Sequence, residues 1–286
     1  DDYGFYDCGV LQEVYAPECK WIGKGAFEEC ARLRAGTWDN VLTISINAFK
    51  NCDSLETVYA PKCTIIAGAA FMGCSELREV YAPNCGGIGK SAFMGCSELR
   101  DVYVPSDTRI GPYAFAYTAL SEVLFKSVTA IADGCYAGCT RIREIDLPLC
   151  ESIGVDAFAS CTAIREISLP ACKGLCGFRG CLALNKVYAP ECTYAVNFER
   201  CVSLSSIYLP KCEAVDGFSE CLRLESVSIP LCTGIGSNCF ENCEALKHIE
   251  VPLCNYIGAY AFFGCYSLEA FSFGSVSQIS YSTFFG

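Results

Sequence analysis

The side chains with the most reactive chemistry in this chain are 24 cysteines and a single histidine, His248. A cysteine can be a nucleophile, a metal ligand or a cross-link, and each use demands particular neighbours. A nucleophilic thiol needs a base to activate it, and His248 is the only imidazole available. Zinc needs four converging ligands, whereas the C-x3-C pairs Cys135/Cys139, Cys172/Cys176 and Cys239/Cys243 offer two each. A disulfide needs Cβ atoms about 3.8 Å apart with a defined torsion. No G-x-S-x-G, H-E-x-x-H, P-loop or EF-hand string accompanies these residues. The expectation is therefore no enzyme, no catalytic residue, no metal and no cofactor.

Position gives most of the cysteines another task. Nine follow a proline-containing segment, as Cys63 and Cys85 do, and twelve precede a leading leucine or isoleucine, as Cys74 and Cys96 do. Only Cys135, Cys176 and Cys239 fall outside these columns. Thiols so arranged read as small buried hydrophobes stacked in ladders. A disulfide framework and metal binding are the competing readings. Against them, each column repeats one register on successive units, and Cys135 and Cys239 merely replace an alanine. So many free thiols suit a reducing or anaerobic setting.

The columns come from an internal repeat, which decides the fold before any local reading. Its leading residues are Leu11, Leu33, Leu55, Leu77, Leu99, Leu120, Ile142, Ile164, Leu184, Leu204, Leu224, Leu246 and Leu268, at steps of 20 to 22 residues. Each unit reads L-x-x-V/I-x-A/L-P-x-C-x-x-I-G-x-x-A-F-x-x-C. Its first part alternates apolar and polar, the signature of a strand with one buried face. Leu77, Val80 and Ala82 point inward, and Pro83 ends the strand because it cannot donate to a ladder. Ile88-Gly89 gives a second short extended piece, with Gly89 and its equivalents marking turns. Ala92-Phe93 then crosses the outer side as a turn or a single helical or 3₁₀ turn, with Phe93 filling the interior.

Stacked units pair their strands in parallel around a shared core. At about 4.8 Å per strand, thirteen units make a rod or arc roughly 60 Å long. Residues 1–286 are read as one solenoid domain, mostly β. The 20-residue units from Ile164, Leu184 and Leu204 lose two residues before Phe178, Phe198 and Phe218. A local change of curvature is expected there. The unit from Leu33 departs most, with Trp38 and Val41 in place of Ala/Leu and Cys.

Between the inward residues, two columns point out of the first sheet. One carries Tyr15, Tyr59, Tyr81, Tyr103, Asp146, Tyr188 and Tyr208, and its neighbour Glu13, Glu79, Asp101, Glu122, Glu144 and Glu166. The N-terminal half thus sets tyrosines beside carboxylates, the middle is acidic, and the C-terminal third is small and polar. Strand propensity and solubility alone could produce such columns. The functional reading is a ligand-binding face. Tyrosine gives a large contact area at small entropic cost, and carboxylates select a basic or cationic partner. The ligand expected is a protein, peptide or glycan, centred on Tyr59, Tyr81 and Tyr103.

The net charge of −11 argues against nucleic acid and against an anionic membrane surface. No apolar run reaches the roughly 18–20 residues of a membrane span. His248 falls at a strand position facing solvent. None of the asparagines lies in a glycosylation sequon, and the chain opens on Asp1-Asp2 with no leader.

The string L-x-x-V-x-L-P…I-G-x-x-A-F-x-x-C, seen in IREIDLPLCESIGVDAFASC from Ile142 to Cys161, resembles the BspA-like (Treponema-type) leucine-rich repeats. The resemblance covers essentially the whole chain. It departs from the commoner form in its cysteine two residues after the proline and its slightly shorter unit. It implies a right-handed superhelix of α/β type with a parallel sheet on the concave face. It also implies a non-enzymatic adhesion or recognition role at a cell surface or after secretion. Similar repeats occur in phage-tail proteins, so a structural or receptor-binding element of a virion tail or appendage is the first alternative. An intracellular scaffold is the second. Both ends fall inside a repeat, as expected of a window cut from a longer solenoid, or of ends that stack on a partner or self-assemble.

Overall fold

The computed structural model describes every residue except Ser275, Ser277, Phe285 and Gly286. The chain divides into two compact units, Asp1–Leu124 with Gly134–Thr140, and Phe125–Asp133 with Arg141–Gly286. Both are β-solenoids. Each coil contributes a first strand from the alternating segment and a second strand from the x-Ile segment.

In the first unit, Glu13–Val14 pairs with Ala35–Gly36, and Thr57–Tyr59, Glu79–Tyr81 and Asp101–Tyr103 form a three-stranded sheet. The second strands Trp21–Ile22, Thr43–Ile44, Ile65–Ile66, Gly87–Ile88 and Arg109–Ile110 form a five-stranded sheet. In the second unit, first strands make sheets of three (Glu144–Asp146 to Lys186–Tyr188) and four (Ser206–Tyr208 to Ala270–Phe273). Eight second strands, Ala130–Ile131 to Gln278–Ile279, make one sheet. Pairing is parallel throughout and follows the repeat, as in Thr57↔Glu79 over 22 residues and Glu166↔Lys186 over 20.

The inward columns are where the pattern puts them. Leu77, Val80 and Ala82 are fully buried. Phenylalanines stack coil on coil: Phe27, Phe49, Phe71 and Phe93 lie with ring centroids 5.1 to 5.3 Å apart. Phe158 to Phe262 continue the same stacking in the second unit. Tyr136 takes the phenylalanine's place in one coil. It is fully buried, and its hydroxyl is hydrogen-bonded to the backbone of Leu124.

Two expectations are sharpened and one is corrected. First, of the alternatives above the outer A-F segment takes the turn, as a chain of turns, and not the helical or 3₁₀ form. Its N–H groups alternate in destination. Ala70, Met72 and Cys74 donate three residues back, while Ala69, Phe71 and Gly73 donate to Lys90, Ala92 and Met94 on the next coil. Ala69 and Gly73 sit at left-handed φ of 53° and 77°, which a right-handed helix cannot contain. Short coils keep fewer of these links: Phe198 and Arg200 donate onward to Gly217 and Ser219. The ladder of first strands breaks within this run, between Lys186–Tyr188 and Ser206–Tyr208.

Second, the glycine column does open turns, as the Ala92 N–H to Gly89 carbonyl bond shows, but none of these glycines has a left-handed φ. A Cβ on Gly89 would lie 2.7 Å from the Ala67 carbonyl carbon, and one on Gly111 2.8 Å from Lys90 N. Glycine is there because successive coils approach backbone to backbone.

Third, the unit from Leu120 has no first strand. Glu122 lies in a bend and is exposed, while Val123 and Phe125 are buried. One residue is missing between Thr118 and Leu120 relative to the C-x-x-L of other coils, so the turn that feeds the strand is lost. The segment also lacks the usual proline and places Phe125 where other coils have Ala or Leu.

The coil from Leu33 shows how a departure is absorbed. Gly36 stands where other coils have valine, and Trp38 where they have alanine or leucine. A Cβ on Gly36 would fall 2.6 Å from Trp38 Cε2, so the indole occupies the space vacated by valine. It packs between Phe27 and Phe49 at 5.8 and 5.1 Å.

Candidate functional site

The first-strand faces carry the residues singled out above. Glu13 and Glu79, Asp101, Glu144, Asp146 and Glu166 are exposed strand residues, as are Tyr59, Tyr103, Tyr188 and Tyr208. Tyr15 is 82% exposed but lies just beyond its strand. Tyr81 is half-buried because it is flanked by two rings.

In the first unit, Tyr59 and Tyr81 stack at 5.1 Å with nearly parallel planes, and Tyr103 follows at 6.2 Å and 51°. The in-register pairing Tyr59↔Tyr81↔Tyr103 sets this ladder. The stacked Tyr59 and Tyr81 rings cover each other's facing sides, while Tyr103 is tilted against Tyr81, and the two end rings stay about half exposed. Tyr15 does not join, because Thr37 intervenes and accepts a bond from the Ala16 N–H at 3.0 Å. Beside the ladder, Glu79 and Asp101 have no ion-pair partner among the described residues. One row away, Arg78 is held by Glu56 and Glu76 at 3.3 and 3.0 Å.

The second unit carries two open clefts on its first-strand face. One is lined by Glu144, Asp146, Glu166, Ser168, Lys186 and Tyr188. Within it, Lys186 reaches Glu166 at 3.4 Å, while Glu144 and Asp146 have no such partner among the described residues. The other includes Tyr208, Ser226, Ser228, His248 and Glu250. Ser228 Oγ donates to Glu250 Oε2 at 2.9 Å. His248 is exposed, as its register predicted.

The cysteines face inward and are engaged. In the column before the leading residue, ten of the twelve thiols donate to the phenylalanine carbonyl of the preceding coil. Cys52, Cys74 and Cys96 reach Phe27, Phe49 and Phe71 at 3.0 Å, and Cys181, Cys201 and Cys221 do likewise at 3.2 to 3.3 Å. In the column after the proline, each thiol donates two residues on, as Cys63 does to Ile65 at 3.3 Å. Burial pushes Cys63 and Cys181 up to about 12, and Cys172 and Cys232 up to about 11. Cys212 is lowered instead, through its side-chain interaction with the neighbouring Cys192, which is raised. Protonated, buried thiols are poor nucleophiles and poor metal ligands. Among the described residues no three His, Cys, Asp or Glu side chains converge as a metal site. Cys135 and Cys239 fill the buried alanine slot of the A-F segment.

The thiol-to-carbonyl ladder was not foreseen from the sequence. Thr118 takes the cysteine position but donates within its own coil, to the Phe115 carbonyl at 2.8 Å, the oxygen that Cys139 of the next coil also reaches at 3.1 Å.

The family model of the BspA-type leucine-rich repeat region matches residues 1–121, 64–184, 108–214 and 174–286. Solved structures share the fold, three of them as follows. A leucine-rich repeat protein from Bacteroides ovatus aligns with a TM-score of 0.64 at 22% identity, over 94% of this chain and 80% of that one. A leucine-rich cell surface protein from Faecalibacterium prausnitzii aligns at 0.57 and 25% identity, over 87% and 75%. The pneumococcal vaccine antigen PcpA aligns at 0.52 and 16% identity, over 92% and 72%. No curated protein sequence matches the chain. Among the described residues no helix is long and apolar enough to cross a membrane.

Proposed function

Because this chain belongs to the BspA-type leucine-rich repeat family, we propose that it is a non-enzymatic adhesion or recognition module acting at a cell surface. Its ligand is a protein or peptide held on the concave, first-strand face. The observation that carries this reading is the exposed Tyr59–Tyr81–Tyr103 ladder flanked by the unpaired carboxylates of Glu79 and Asp101. Ring edges and hydroxyls offer apolar contact and hydrogen bonds together, which suits a protein surface. A glycan stacks on ring faces, and in this ladder the inner faces are covered. The carboxylates favour a partner with basic side chains. A cell-surface setting is supported by the relative described as a cell surface protein.

The test is to immobilise the chain, capture a partner from host-cell surface extract, and compare wild type with Tyr59→Ser/Tyr81→Ser/Tyr103→Ser. Binding should fall about a hundredfold or more while the far-ultraviolet spectrum and melting temperature stay within a few degrees. Unchanged affinity would mean that the tyrosines merely suit a strand.

A further inference from the structure

We propose that the second-strand face of the first unit holds a docking cleft at Gly86–Gly87 for an aromatic side chain of a separate partner protein. A carboxylate of that partner would sit beside the aromatic group. This cleft lies on a different sheet from the tyrosine ladder and does not depend on the ladder's role.

The argument starts from three equivalent glycines. Gly87, Gly174 and Gly234 occupy the same outward slot of the second strand in three coils. The slot does not require glycine on backbone grounds. None of the three has a left-handed φ, and unlike Gly89 none meets the backbone of the coil before. In two cases the next coil supplies a tyrosine in register, Gly174↔Tyr194 and Gly234↔Tyr256. A Cβ on Gly174 would fall 2.8 Å from Tyr194 Cε1, so this ring lies across the glycine and buries it. Tyr256 leans against Gly234, with Cδ1 3.8 Å from the same point. The chain itself thus shows which group fits such a notch.

At Gly87 the notch is open. The residue in register on the next coil is Arg109, and a Cβ on Gly87 would meet nothing within 4 Å. The cleft has a floor of Gly86, Gly87 and Gly111 backbone, with Ile65 on one side and Arg109 on the other. Ile65 is 50% exposed, an apolar wall without a cover. Arg109 is exposed and has no carboxylate partner among the described residues, in a chain of net charge −11. An aromatic ring laid on the glycines would cover Ile65, and a neighbouring carboxylate on the same partner would pair with Arg109.

The experiment uses the dipeptide N-acetyl-Asp-Tyr-amide as probe, followed by amide chemical shifts of the whole chain. Saturable shifts are expected at Gly86, Gly87 and Gly111. N-acetyl-Asp-Leu-amide and N-acetyl-Lys-Tyr-amide should bind about tenfold more weakly or worse. Arg109→Tyr should close the notch from within, as Tyr194 does, and abolish the shifts. Gly87→Val, whose side chain enters open space, should fold normally and abolish them too. Shifts scattered over other surfaces, or unaltered by both variants, would overturn the proposal. So would concentration-dependent dimers that Gly87→Val abolishes, since the cleft would then belong to a second copy.

Discussion

Cys74 donates its thiol hydrogen to the carbonyl oxygen of Phe49 one coil earlier, at 3.0 Å. The same oxygen accepts the Cys52 N–H at 3.1 Å within its own coil. The thiol therefore adds a second bond to an acceptor already satisfied, and fills a slot that is fully buried. Cys74→Ala should cost about 1–2 kcal/mol, the sum of a weak hydrogen bond and a small void. Urea unfolding under reducing conditions measures it. A cost above about 4 kcal/mol would mean that the thiol does more than pack and donate.

Thiol burial also predicts how stability depends on pH. Burial raises Cys63 and Cys181 to about 12 and Cys172 and Cys232 to about 11, while an unfolded thiol ionises near about 8.5. Between those values the unfolded chain releases protons that the folded chain retains, so rising pH favours unfolding. The contribution is whole below about pH 8.5 and is lost as pH climbs through 11 to 12, at up to about 1.4 kcal/mol per pH unit per thiol. The melting temperature in reductant should fall progressively above about pH 9. A flat profile to about pH 10.5 would refute it. In the same samples at neutral pH, iodoacetamide should label the partly exposed Cys8, Cys19 and Cys265 well before the buried thiols.

Two glycines two residues apart should respond oppositely. A Cβ on Gly89 meets the backbone of Ala67, which cannot move without shifting the preceding coil, whereas a Cβ on Gly87 meets nothing. Gly89→Ala should destabilise by about 3 kcal/mol or more. Gly87→Ala should be neutral or stabilise by up to about 1 kcal/mol, since glycine is costly in a strand. Equal effects in thermal melts would show that the coils are less closely apposed than this.

The coil, its two strands and its inward columns were legible because each depends on local periodicity that recurs unit after unit. Tyr59, Tyr81 and Tyr103 were placed correctly for the same reason. What the pattern could not give depends on geometry between coils. The role of Gly89 comes from backbone approach to Ala67 and Gly68, and nothing in its own unit reports that. Ala92-Phe93 alone does not separate a turn from a helical turn, because the hand-off of half of the segment's N–H groups to the next coil is invisible within one unit. Glu122 was misplaced because Leu120 and Val123 keep the pattern while one residue, lost before Leu120, removes the turn that positions them. Of the two clefts in the second unit, only Glu144, Asp146 and Glu166 and the tyrosines had been marked. Their grouping with Ser168 and Lys186 needs the three-dimensional register.

Gly36 and Trp38 offer the sharpest test of how far these coils tolerate exchange. The indole fills the volume that valine fills elsewhere, so the two positions are coupled through one space. Trp38→Ala alone should leave a cavity and cost about 3–5 kcal/mol. Gly36→Val alone should force the ring against a side chain and cost about 2–3 kcal/mol. The double variant restores the valine and alanine of the other coils. It also removes the buried Trp38 Nε1–H, which has no hydrogen-bond partner among the described residues and is therefore a penalty in the wild type. The double variant should accordingly be about as stable as the wild type, with a coupling energy of several kcal/mol that urea unfolding of all four proteins would yield. Additive losses would show that the valine cannot occupy the space left by the indole, and that this coil follows a different packing rule from its neighbours.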